Sequence, residues 1–276
     1  METIMDAFKE KIAIVTGGAS GIGRAVCEQL SQRGATVVVA DVDEEGAGQV
    51  VSGINETGGR ARAAHIDVAQ AEEIQKLIDE TVSEHGRLDY MFNNAGICVI
   101  GEERDVSLDH WRSVLDVNLF GVIYGATAAY SLMVKQGFGH IVNTASLAGL
   151  IPAAQEISYT ASKHAVVGIS NSLRAEGADL GVKVSVVCPG FVQTGIFDAM
   201  LAVNVDKEKL VAKIPFKMKA TKAAQEILRG VARNRTTIVF PAHARIIWWL
   251  YRLHPSILIP LDRRVIKDFR ALRYNT

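Results

Sequence analysis

The stretch "TGGASGIGRAVCEQL" (16–30) decides the fold of this chain. It joins the β-branched run "KIAIVT" (11–16) to an amphipathic segment, and Gly17, Gly21 and Gly23 stand at the junction. Glycine permits a tight turn there and lets the free N–H groups of the helix amino terminus approach an anion. A glycine-rich loop alone is weak evidence for a nucleotide site, but this one lies between a strand and a helix. It therefore predicts a site for the pyrophosphate of a dinucleotide.

An acidic residue ends the next apolar run, "TVVVAD" (36–41). Asp41 lies eighteen residues after Gly23, where a carboxylate can bind both ribose hydroxyls of adenosine and would repel a 2′-phosphate. Three more acids occupy positions 43–45, and the glycine loop contains no lysine or arginine. We therefore expect NAD rather than NADP as the cofactor. The alternative is that Asp41 only caps the following helix.

Short β-branched runs alternate with longer amphipathic segments along most of the chain. The runs are "KIAIVT" (11–16), "TVVVAD" (36–41), "ARAAHID" (61–67), "LDYMFNN" (88–94), "GHIVNTAS" (139–146), "VKVSVVCP" (182–189) and "TTIVF" (236–240). This alternation predicts an α/β protein, a parallel sheet with helices on both faces. We expect one catalytic domain at residues 1–241 and an extension at 242–276 that the sheet does not need. Residues 191–220 break the alternation and are predicted to be irregular.

The composition excludes several classes of protein. Thirty basic and thirty acidic side chains cancel, so no global charge favours a nucleic-acid partner, and no Cys/His spacing predicts a metal site. The three cysteines, Cys27, Cys98 and Cys188, are far apart and odd in number, as in a reduced intracellular protein. The amino end lacks the basic-then-apolar order of a signal peptide. No uninterrupted apolar stretch approaches the roughly 18 residues of a membrane span. We expect a cytoplasmic protein.

A tyrosine and a lysine four positions apart, Tyr159 and Lys163, lie in the helix-like stretch "SYTASKHAVVG" (158–168). Positions i and i+4 share one face of a helix, so the phenol and the ammonium are expected side by side. A free phenol has a pKa of about 10 and is almost never ionised at neutral pH. One ammonium at about 4 Å supplies about 4 kcal/mol, enough to lower that pKa by about 3 units. The spacing thus predicts a phenol that acts as an acid/base.

Two further polar residues complete this candidate site. Ser146 ends the fifth strand, and its hydroxyl can hydrogen-bond a substrate oxygen near Tyr159. Asn118 stands in the middle of a predicted helix, although asparagine is a poor helix former. A local kink that holds water beside Lys163 would explain it.

The motifs "TGGASGIG" (16–23), "NNAG" (93–96), Asn118, Ser146 and "YTASK" (159–163) occur in one order along the chain. With these motifs the chain resembles the short-chain dehydrogenase/reductase family over about residues 8–240. The resemblance implies a Rossmann-type, doubly wound sheet of seven parallel strands and nicotinamide-dependent alcohol/ketone chemistry. "PGFVQT" (189–194) is similar to the turn that lies beside the nicotinamide in that family. The long carboxyl extension departs from the family pattern.

The resemblance also implies a role for each matching residue. Tyr159 is the catalytic acid/base, Lys163 its modulator, Ser146 the anchor of the substrate oxygen and Asn118 the support of a proton relay. The implied cofactor contacts come from the glycine loop, the ends of several strands and the catalytic pair. They are Gly17, Ser20, Gly21, Ile22, Gly23, Asp41, Asp67, Val68, Asn94, Ala95, Gly96, Tyr159, Lys163, Pro189, Gly190, Val192 and Thr194. Among them, Asp67 and Val68 would contact the adenine, and Thr194 would bind the carboxamide.

The turns after strands four, five and six should line the substrate site. Apart from the catalytic hydroxyls, they carry Ile97, Cys98, Val99, Leu147, Leu150, Ile151, Phe191, Phe197, Met200 and Leu201. An apolar secondary alcohol or ketone, lipid-like or cyclic, would fit such a lining. The alternative is that half of these side chains face the core or a partner subunit. Gln155 and Glu156 are interpreted as part of a solvated loop rather than as a polar contact.

Three functions remain open at this point. The first is an NAD-dependent alcohol dehydrogenase or ketone reductase. The second is an NADPH-linked carbonyl or 3-oxoacyl reductase, which Asp41 argues against. The third is a dinucleotide-sensing protein without turnover, which would not need Ser146, Tyr159 and Lys163.

Two surfaces predict partners. The helices at 108–136 and 156–180 are apolar on more than one face, which predicts a homodimer or homotetramer. The family resemblance implies that these two helices pair across a two-fold axis. The extension combines two adjacent tryptophans in an aliphatic run with a following basic helix, as interfacial membrane anchors do. The alternative, which we favour, is that its apolar residues cover the pocket or pack on a partner subunit.

Overall fold

All seven predicted strands join one parallel sheet in the computed structural model, which describes residues 6–214 and 218–274. The strands are β1 (Ile12–Thr16), β2 (Thr36–Asp41), β3 (Arg60–His65), β4 (Tyr90–Asn93), β5 (Val99–Ile100), β6 (Gly139–Thr144), β7 (Val182–Pro189), β8 (Val192–Gln193), β9 (Leu201–Ala202), β10 (Met218–Lys219) and β11 (Thr237–Phe240). The large sheet has the order β11-β7-β6-β4-β1-β2-β3, and its neighbouring strands are parallel. The predicted Rossmann-type fold is confirmed.

Helices cover both faces of this sheet. They are α1 (Gly21–Gln32), α2 (Glu44–Glu56), α3 (Ala71–His85), α4 (Leu108–Leu115), α5 (Gly121–Gln136), α6 (Ile157–Gly177), α7 (Ile196–Ala199), α8 (Lys207–Ala212), α9 (Ala220–Ala232), α10 (Ala242–Leu253) and α11 (Ile259–Arg270). Short 3₁₀ turns occupy Asp6–Phe8, Leu147–Gly149, Ala178–Leu180 and Pro255–Leu258. Buried residues of α1, α2 and α9 form one core, and those of α3 and α5 form the other.

Each central strand contributes to both cores. In β1, Ala13 and Val15 face the first core, whereas Ile14 faces the second. β2 follows the same alternation, with Val37 in one core and Val38 in the other. Strands covered on both faces must be apolar at every position, which is why these runs show no polar alternation in the sequence.

The predicted helix at 108–136 is interrupted. α4 ends at Leu115, a π-helical turn spans Asp116–Phe120, and α5 follows. By length and composition, Leu108–Gln136 also meets the criterion for a membrane span, with a mean hydropathy of 1.5 over its best window. We expected no such stretch from the sequence. Core helices of globular proteins meet the same criterion, and Val122, Ala126 and Ala129 on its inner face are buried in the cores.

The segment predicted to be irregular, 191–220, contains short elements instead. β8 pairs with β10, and β9 pairs with β5, each over two residues in parallel. α7 and α8 lie between these strands. Single-sequence periodicity cannot detect two-residue strands, because one pair of residues has no period. Residues 215–217 of this segment lie outside the described residues, as do 1–5 at the amino end and 275–276 of the extension.

The strand order reverses at β1, which has β2 on one side and β4 on the other. The connections that follow β1 and β4 leave toward opposite faces of the sheet, so a crevice opens between the carboxyl ends of these two strands. In sheets of this kind, ligands bind in that crevice. The glycine loop follows β1 directly, and the turn at Asn94–Gly96 follows β4, so both lie at its rim.

Candidate active site

The glycine loop is packed so closely that side chains cannot replace its glycines. Gly17 has a φ of 65°, and a Cβ there would lie 2.8 Å from the Cα of Ala95. A Cβ on Gly23 would lie 1.9 Å from the carbonyl oxygen of Gly17. Ser20 is the N-cap of α1, but its side chain makes no capping hydrogen bond. The first N–H groups of α1, from Gly21 to Gly23, have no partner within the helix, as an anion-binding terminus requires.

Asp41 holds this loop to the end of β2. One carboxylate oxygen accepts the N–H of Ala19 at 2.9 Å, and the other accepts the N–H of Asp43 at 3.0 Å. The helix cap is Asp43, whose side chain accepts the N–H of Gly46 at 2.9 Å. The alternative role for Asp41, as the cap of the next helix, is therefore wrong. Its half-buried carboxylate lies beside the glycine loop, where an adenosine ribose would be bound.

The turn after β3 lies next to this position. The N–H of Ile66 donates to the carbonyl of Asp41 at 3.0 Å, which brings Asp67 to the same edge of the sheet. The Asp67 carboxylate accepts the N–H of Ala69 at 2.9 Å, and Val68 is 9% exposed and packs on Gly121. The two predicted adenine contacts are thus neighbours of Asp41.

Asn94 joins the ends of three strands. Its Nδ2 donates to the carbonyl of Thr16 at 3.1 Å, and its Oδ1 accepts the hydroxyl of Thr144 at 3.4 Å. The N–H groups of Asn94 and Ala95 both donate to the Thr16 hydroxyl, at 3.0 and 3.2 Å. The Asn94 side chain therefore forms its hydrogen bonds with the protein itself, and Asn94 acts as a positioning residue for the rim of the crevice.

Tyr159 and Lys163 lie one turn apart on α6, as the spacing predicts. The Lys163 Nζ is 5.4 Å from the centroid of the Tyr159 ring and donates to the carbonyl of Thr144 at 2.9 Å. Lys163 is only 2% exposed. The Ser146 side chain lies near enough to the phenol to oppose the rise of its pKa, and it accepts the N–H of Ala148 at 3.1 Å. The structure thus brings together the serine, the tyrosine and the lysine that the sequence singled out.

The acidity of the phenol differs from the expectation. Burial raises the pKa of Tyr159 well above its usual value of 10, and the hydrogen bond from Ser146 opposes this rise only in part. Burial also lowers the pKa of Lys163 to about 8. The prediction that the lysine, with added help from the oxidised nicotinamide's charge, lowers the phenol pKa left out desolvation, which disfavours the charged forms of both the tyrosine and the lysine. An additional positive charge beside the phenol is needed to make it a base at neutral pH.

Asn118 lies in the π-helical turn and is fully buried. Its Oδ1 accepts the N–H of Ile97 at 2.8 Å, and its Nδ2 donates to the carbonyl of Ile97 at 2.9 Å. A Cβ on Gly96 would lie 3.1 Å from the Asn118 Oδ1 and 3.4 Å from the Lys163 Nζ. The amide therefore fixes the turn after β4 against the lysine. π-helical turns are common at functional sites because they redirect a side chain in this way.

The turn after β7 closes over the glycine loop. The N–H of Gly190 donates to the carbonyl of Phe240 at 2.7 Å, and Val192, which follows Pro189 by three residues, is buried. A Cβ on Gly21 would lie 3.0 Å from the Thr194 Cβ. Thr194 thus faces the amino end of α1, beside a cavity of about 390 Å³. Arg24, which the sequence analysis passed over, also lines this cavity and pairs with Glu28 at 2.8 Å.

Of the two residues interpreted as a solvated loop, Gln155 is buried and Glu156 is half-buried. Gln155 is 7% exposed, has a φ of 70°, and its Nε2 has no hydrogen-bond partner among the described residues. Burial raises the pKa of the Glu156 carboxyl to about 7. The Glu156 charge in turn raises the pKa values of Tyr159 and Cys98. The signal in the sequence was the position of this pair directly before the tyrosine, at the start of its helix.

The predicted apolar lining divides between buried and exposed side chains. Val99 and Met200 are almost fully buried, whereas Ile97, Phe191 and Leu201 are each more than a third exposed. Leu147 and Leu150 pack against the core cluster that contains Val122 and Val166. Burial in the core therefore holds for part of the set, and contact of the exposed members with a substrate stays a prediction.

The carboxyl extension packs against this lining. Phe269 is 2% exposed and forms one cluster with Ile100, Met200 and Val205, against which Cys98 and Phe197 pack. Ion pairs hold the extension in place. Arg270 and Arg273 each lie 2.7 Å from Glu102, and Arg273 also pairs with Asp105. Phe269 thus places the extension against apolar surface of the domain, while the prediction that residues 246–253 cover the pocket or pack on a partner subunit stays a prediction.

A glycine loop at the switch point, an acid after β2 and a Ser-Tyr-Lys cluster at the same edge define a dinucleotide-binding oxidoreductase. The sequence profile of the family described as short chain dehydrogenase matches residues 11–203. The chain belongs to the short-chain dehydrogenase family.

Individual relatives agree with this assignment. The chain is 39% identical over 196 residues to cyclohexanol dehydrogenase of Acinetobacter sp. (strain SE19), a match covering 70% of this chain and 78% of that protein. It is 36% identical over 231 residues to cis-4-hydroxycyclohexanecarboxylate dehydrogenase of Sinomonas cyclohexanicum, covering 83% and 86%. A short-chain dehydrogenase/reductase from Burkholderia phymatum, solved in complex with NAD, has a TM-score of 0.80 and 30% identity and covers 98% of both chains.

Proposed function

We propose that the protein is an NAD-dependent oxidoreductase that interconverts an apolar, cyclic secondary alcohol and its ketone. The observation that carries the proposal is the cluster of Ser146, Tyr159 and Lys163 beside a loop that Asp41 closes. Two relatives named for alcohols on cyclohexane rings support the substrate class. The apolar cluster around Met200 and Phe269 supports an apolar substrate.

The cofactor fits the residues that surround its expected site. The glycine loop leaves a cradle that a single Cβ would fill, and the start of α1 offers N–H groups to a pyrophosphate. The Asp41 carboxylate favours the free ribose hydroxyls of NAD and opposes the 2′-phosphate of NADP. When bound, NAD supplies the hydride acceptor and a positive charge on its nicotinamide ring.

The chain's own residues handle the proton. The Ser146 hydroxyl holds the substrate oxygen beside the phenol, so that the alcohol proton is within reach of Tyr159. Tyr159 takes this proton in oxidation and returns it in reduction. The Lys163 ammonium stabilises the phenolate across one helical turn, while Asn118 keeps the turn at Gly96 and Ile97 against the lysine. The remaining cofactor contacts carried over from the family stay predictions of this proposal.

A substrate panel tests the proposal. Cyclohexanol, 4-substituted cyclohexanols, linear secondary alcohols and steroid alcohols would be assayed with NAD and with NADP by the absorbance of the reduced cofactor. We expect turnover of cyclic alcohols, and a preference for NAD of about tenfold or more, equivalent to about 1.4 kcal/mol. A preference for NADP would instead support the NADPH-linked reductase. Binding of NAD without turnover of any alcohol or ketone would support the dinucleotide-sensing protein.

A further inference from the structure

The carboxyl extension has a covered inner face and an exposed apolar outer face. On the inner side, Ala244, Leu258 and Phe269 are buried. The outer side, here called the tail face, consists of exposed apolar residues that continue from α10 through the 3₁₀ turn into α11. These are Ile246, Trp249, Leu253, Ile257, Ile259 and Leu261, each 46–59% exposed. Apolar surface clustered in this way marks an interaction site.

Four of the seven cations in the extension form no ion pair with any described residue. Residues 242–274 contain seven basic and two acidic side chains, in a chain whose total charge is zero. Arg270 and Arg273 pair with Glu102, but within the described parts of the chain no ion pair forms at Arg252, Arg263, Arg264 or Lys267. Arg252 instead lies over the Trp248 ring at 5.3 Å. The tail face is therefore bordered by uncompensated positive charge.

A groove of about 310 Å³ opens beside the tail face, where α10 crosses β11. Its lining includes Arg235, Arg245 and Arg252 together with Trp248 and Trp249. Arg245 is partly engaged, since its Nε donates to the carbonyl of Val239 at 2.7 Å and its Nη2 lies 3.8 Å from Glu226. Guanidinium groups bind phosphate oxygens well, and tryptophan side chains favour the boundary between lipid headgroups and acyl chains.

The positive charge of the extension indicates which kind of partner covers the tail face. In a symmetric pair of copies, each basic tail would face its own equivalent, and the like charges would repel. An anionic bilayer surface neutralises the cations and covers the apolar residues at the same time. α10 and α11 have twelve residues each and are separated by the 3₁₀ turn at Pro255–Leu258, so neither is long enough to span.

We propose that the tail face and its bordering arginines bind the protein peripherally to membranes that contain anionic phospholipid. The inner face of the same extension packs against the apolar cluster around Met200. A membrane-bound protein would therefore hold its substrate side close to the lipid, where an apolar alcohol or ketone is concentrated.

Sedimentation of the full-length protein with vesicles tests this proposal. We expect the protein to pellet with vesicles of phosphatidylcholine mixed with phosphatidylglycerol, to remain in solution with phosphatidylcholine alone, and to be released by high salt. The triple substitution Arg252→Gln, Arg263→Gln and Arg264→Gln should lower the partition coefficient about a hundredfold, at about fivefold for each cation. Turnover of a water-soluble alcohol should not change, which shows that the variant is folded.

A paired substitution separates the lipid from a second copy of the chain. Trp249→Ser with Leu253→Ser should abolish vesicle binding and leave the subunit number from light scattering unchanged. Leu108→Ser, at a position 72% exposed on α4, is the matched control and should bind vesicles like the parent protein. The proposal is overturned if the parent protein does not pellet with anionic vesicles. It is equally overturned if the paired variant loses subunits, since a second copy then covers the tail face.

Discussion

Tyr159 is partly exposed, yet desolvation leaves its phenol almost never ionised at neutral pH in the free protein. Burial raises its pKa, and Lys163 loses part of its charge above about pH 8, where its own lowered pKa lies. The phenolate therefore depends on a hydrogen bond from Ser146 and on positive charge next to it. At the scale of single residues, the proposed role of Tyr159 as the base would thus link its ionisation to occupation of the cofactor site.

Tyr159→Phe tests the role of the phenol. The ring is kept and only the hydroxyl is lost, so turnover should fall by about 10²–10⁴-fold, the usual share of general acid/base catalysis. Calorimetry should give an unchanged affinity for NAD. A residual rate above about a hundredth of the parent rate would contradict acid/base catalysis by this residue.

Asp41→Ala combined with Val42→Arg tests the basis of cofactor choice. Val42 is 66% exposed directly after the carboxylate, so an arginine there can reach a 2′-phosphate. The ratio of kcat/KM with NAD to that with NADP should fall by about tenfold or more. Val42→Arg alone is the control, because it adds the cation without removing the repulsion. An unchanged ratio in the double variant would show that Asp41 does not select the cofactor.

His140 makes the folded protein sensitive to acid. It is 5% exposed, and because Ser185 donates its hydroxyl hydrogen to the carbonyl of Arg235, the His140 Nε2 donates to Ser185 at 2.9 Å. Burial, together with the charges of Lys183 and Arg174, lowers its pKa from 6.5 to about 3. Between these two values the unfolded chain binds a proton that the folded protein does not. Stability is therefore complete above the unfolded pKa and decreases as the pH falls toward the folded one.

Urea unfolding at two pH values measures this effect. From about pH 7 to about pH 5, His140 should account for about 2 kcal/mol of lost stability, a loss absent in His140→Phe. His164→Gln changes an exposed histidine and should keep the acid sensitivity of the parent protein. Equal pH dependence in the parent protein and in His140→Phe would disprove the assignment.

At the scale of elements, ion pairs hold the segment after α11 against the rest of the domain. Arg273 is 13% exposed and reaches both Glu102 and Asp105, while the backbone of Val205 pairs with Arg273 and that of Asp206 with Leu272. These contacts join the extension to the loop after β5 and to the loop before α8. The position of Phe269 against Ile100 and Met200 depends on them.

Arg273→Met should release this anchor. It leaves Asp105 without its cation and Glu102 with only Arg270 and Arg104, the latter at 2.6 Å, so the melting temperature should fall by several degrees. The KM for an apolar alcohol should rise more than kcat falls, because the catalytic cluster on α6 is not touched. Arg263→Met on α11 removes a cation that has no ion pair in the described structure and should leave the melting temperature unchanged. Equal effects of the two substitutions would contradict the anchoring role.

At the scale of the whole molecule, the long helices predict self-association. Phe120 is 42% exposed at the π-helical turn, and Ile157 is 43% exposed at the start of α6. These side chains lie on the two helices expected to pair across a two-fold axis. A dimer or tetramer covers them, whereas a monomer leaves them in water.

Light scattering at micromolar concentration should report a dimer or a tetramer. Phe120→Glu introduces a charge into the expected interface and should reduce the subunit number. Phe138→Glu, at a position 39% exposed between α5 and β6, lies outside both helices and should not. A parent protein that is monomeric under these conditions would contradict the prediction of self-association.

What the sequence determined by itself is local or periodic. The seven strands follow from apolar runs, and the glycine loop follows from a steric requirement at Gly17 and Gly23 that no other residue meets. The Tyr159–Lys163 pair follows from the helical repeat, which places i and i+4 on one face. Each of these features depends on residues close together in the chain.

The tertiary structure decided what depends on distant residues. The high pKa of Tyr159 reflects desolvation and the nearby Cys98, both of which arise only from the fold, whereas Glu156 is close to it in the chain as well. The Asp41 carboxylate binds a backbone N–H of the glycine loop, and Asp43 caps α2 instead. The ion pairs that anchor the extension join residues 168 positions or more apart. Desolvation and long-range ion pairs are sums over neighbours that no periodicity encodes.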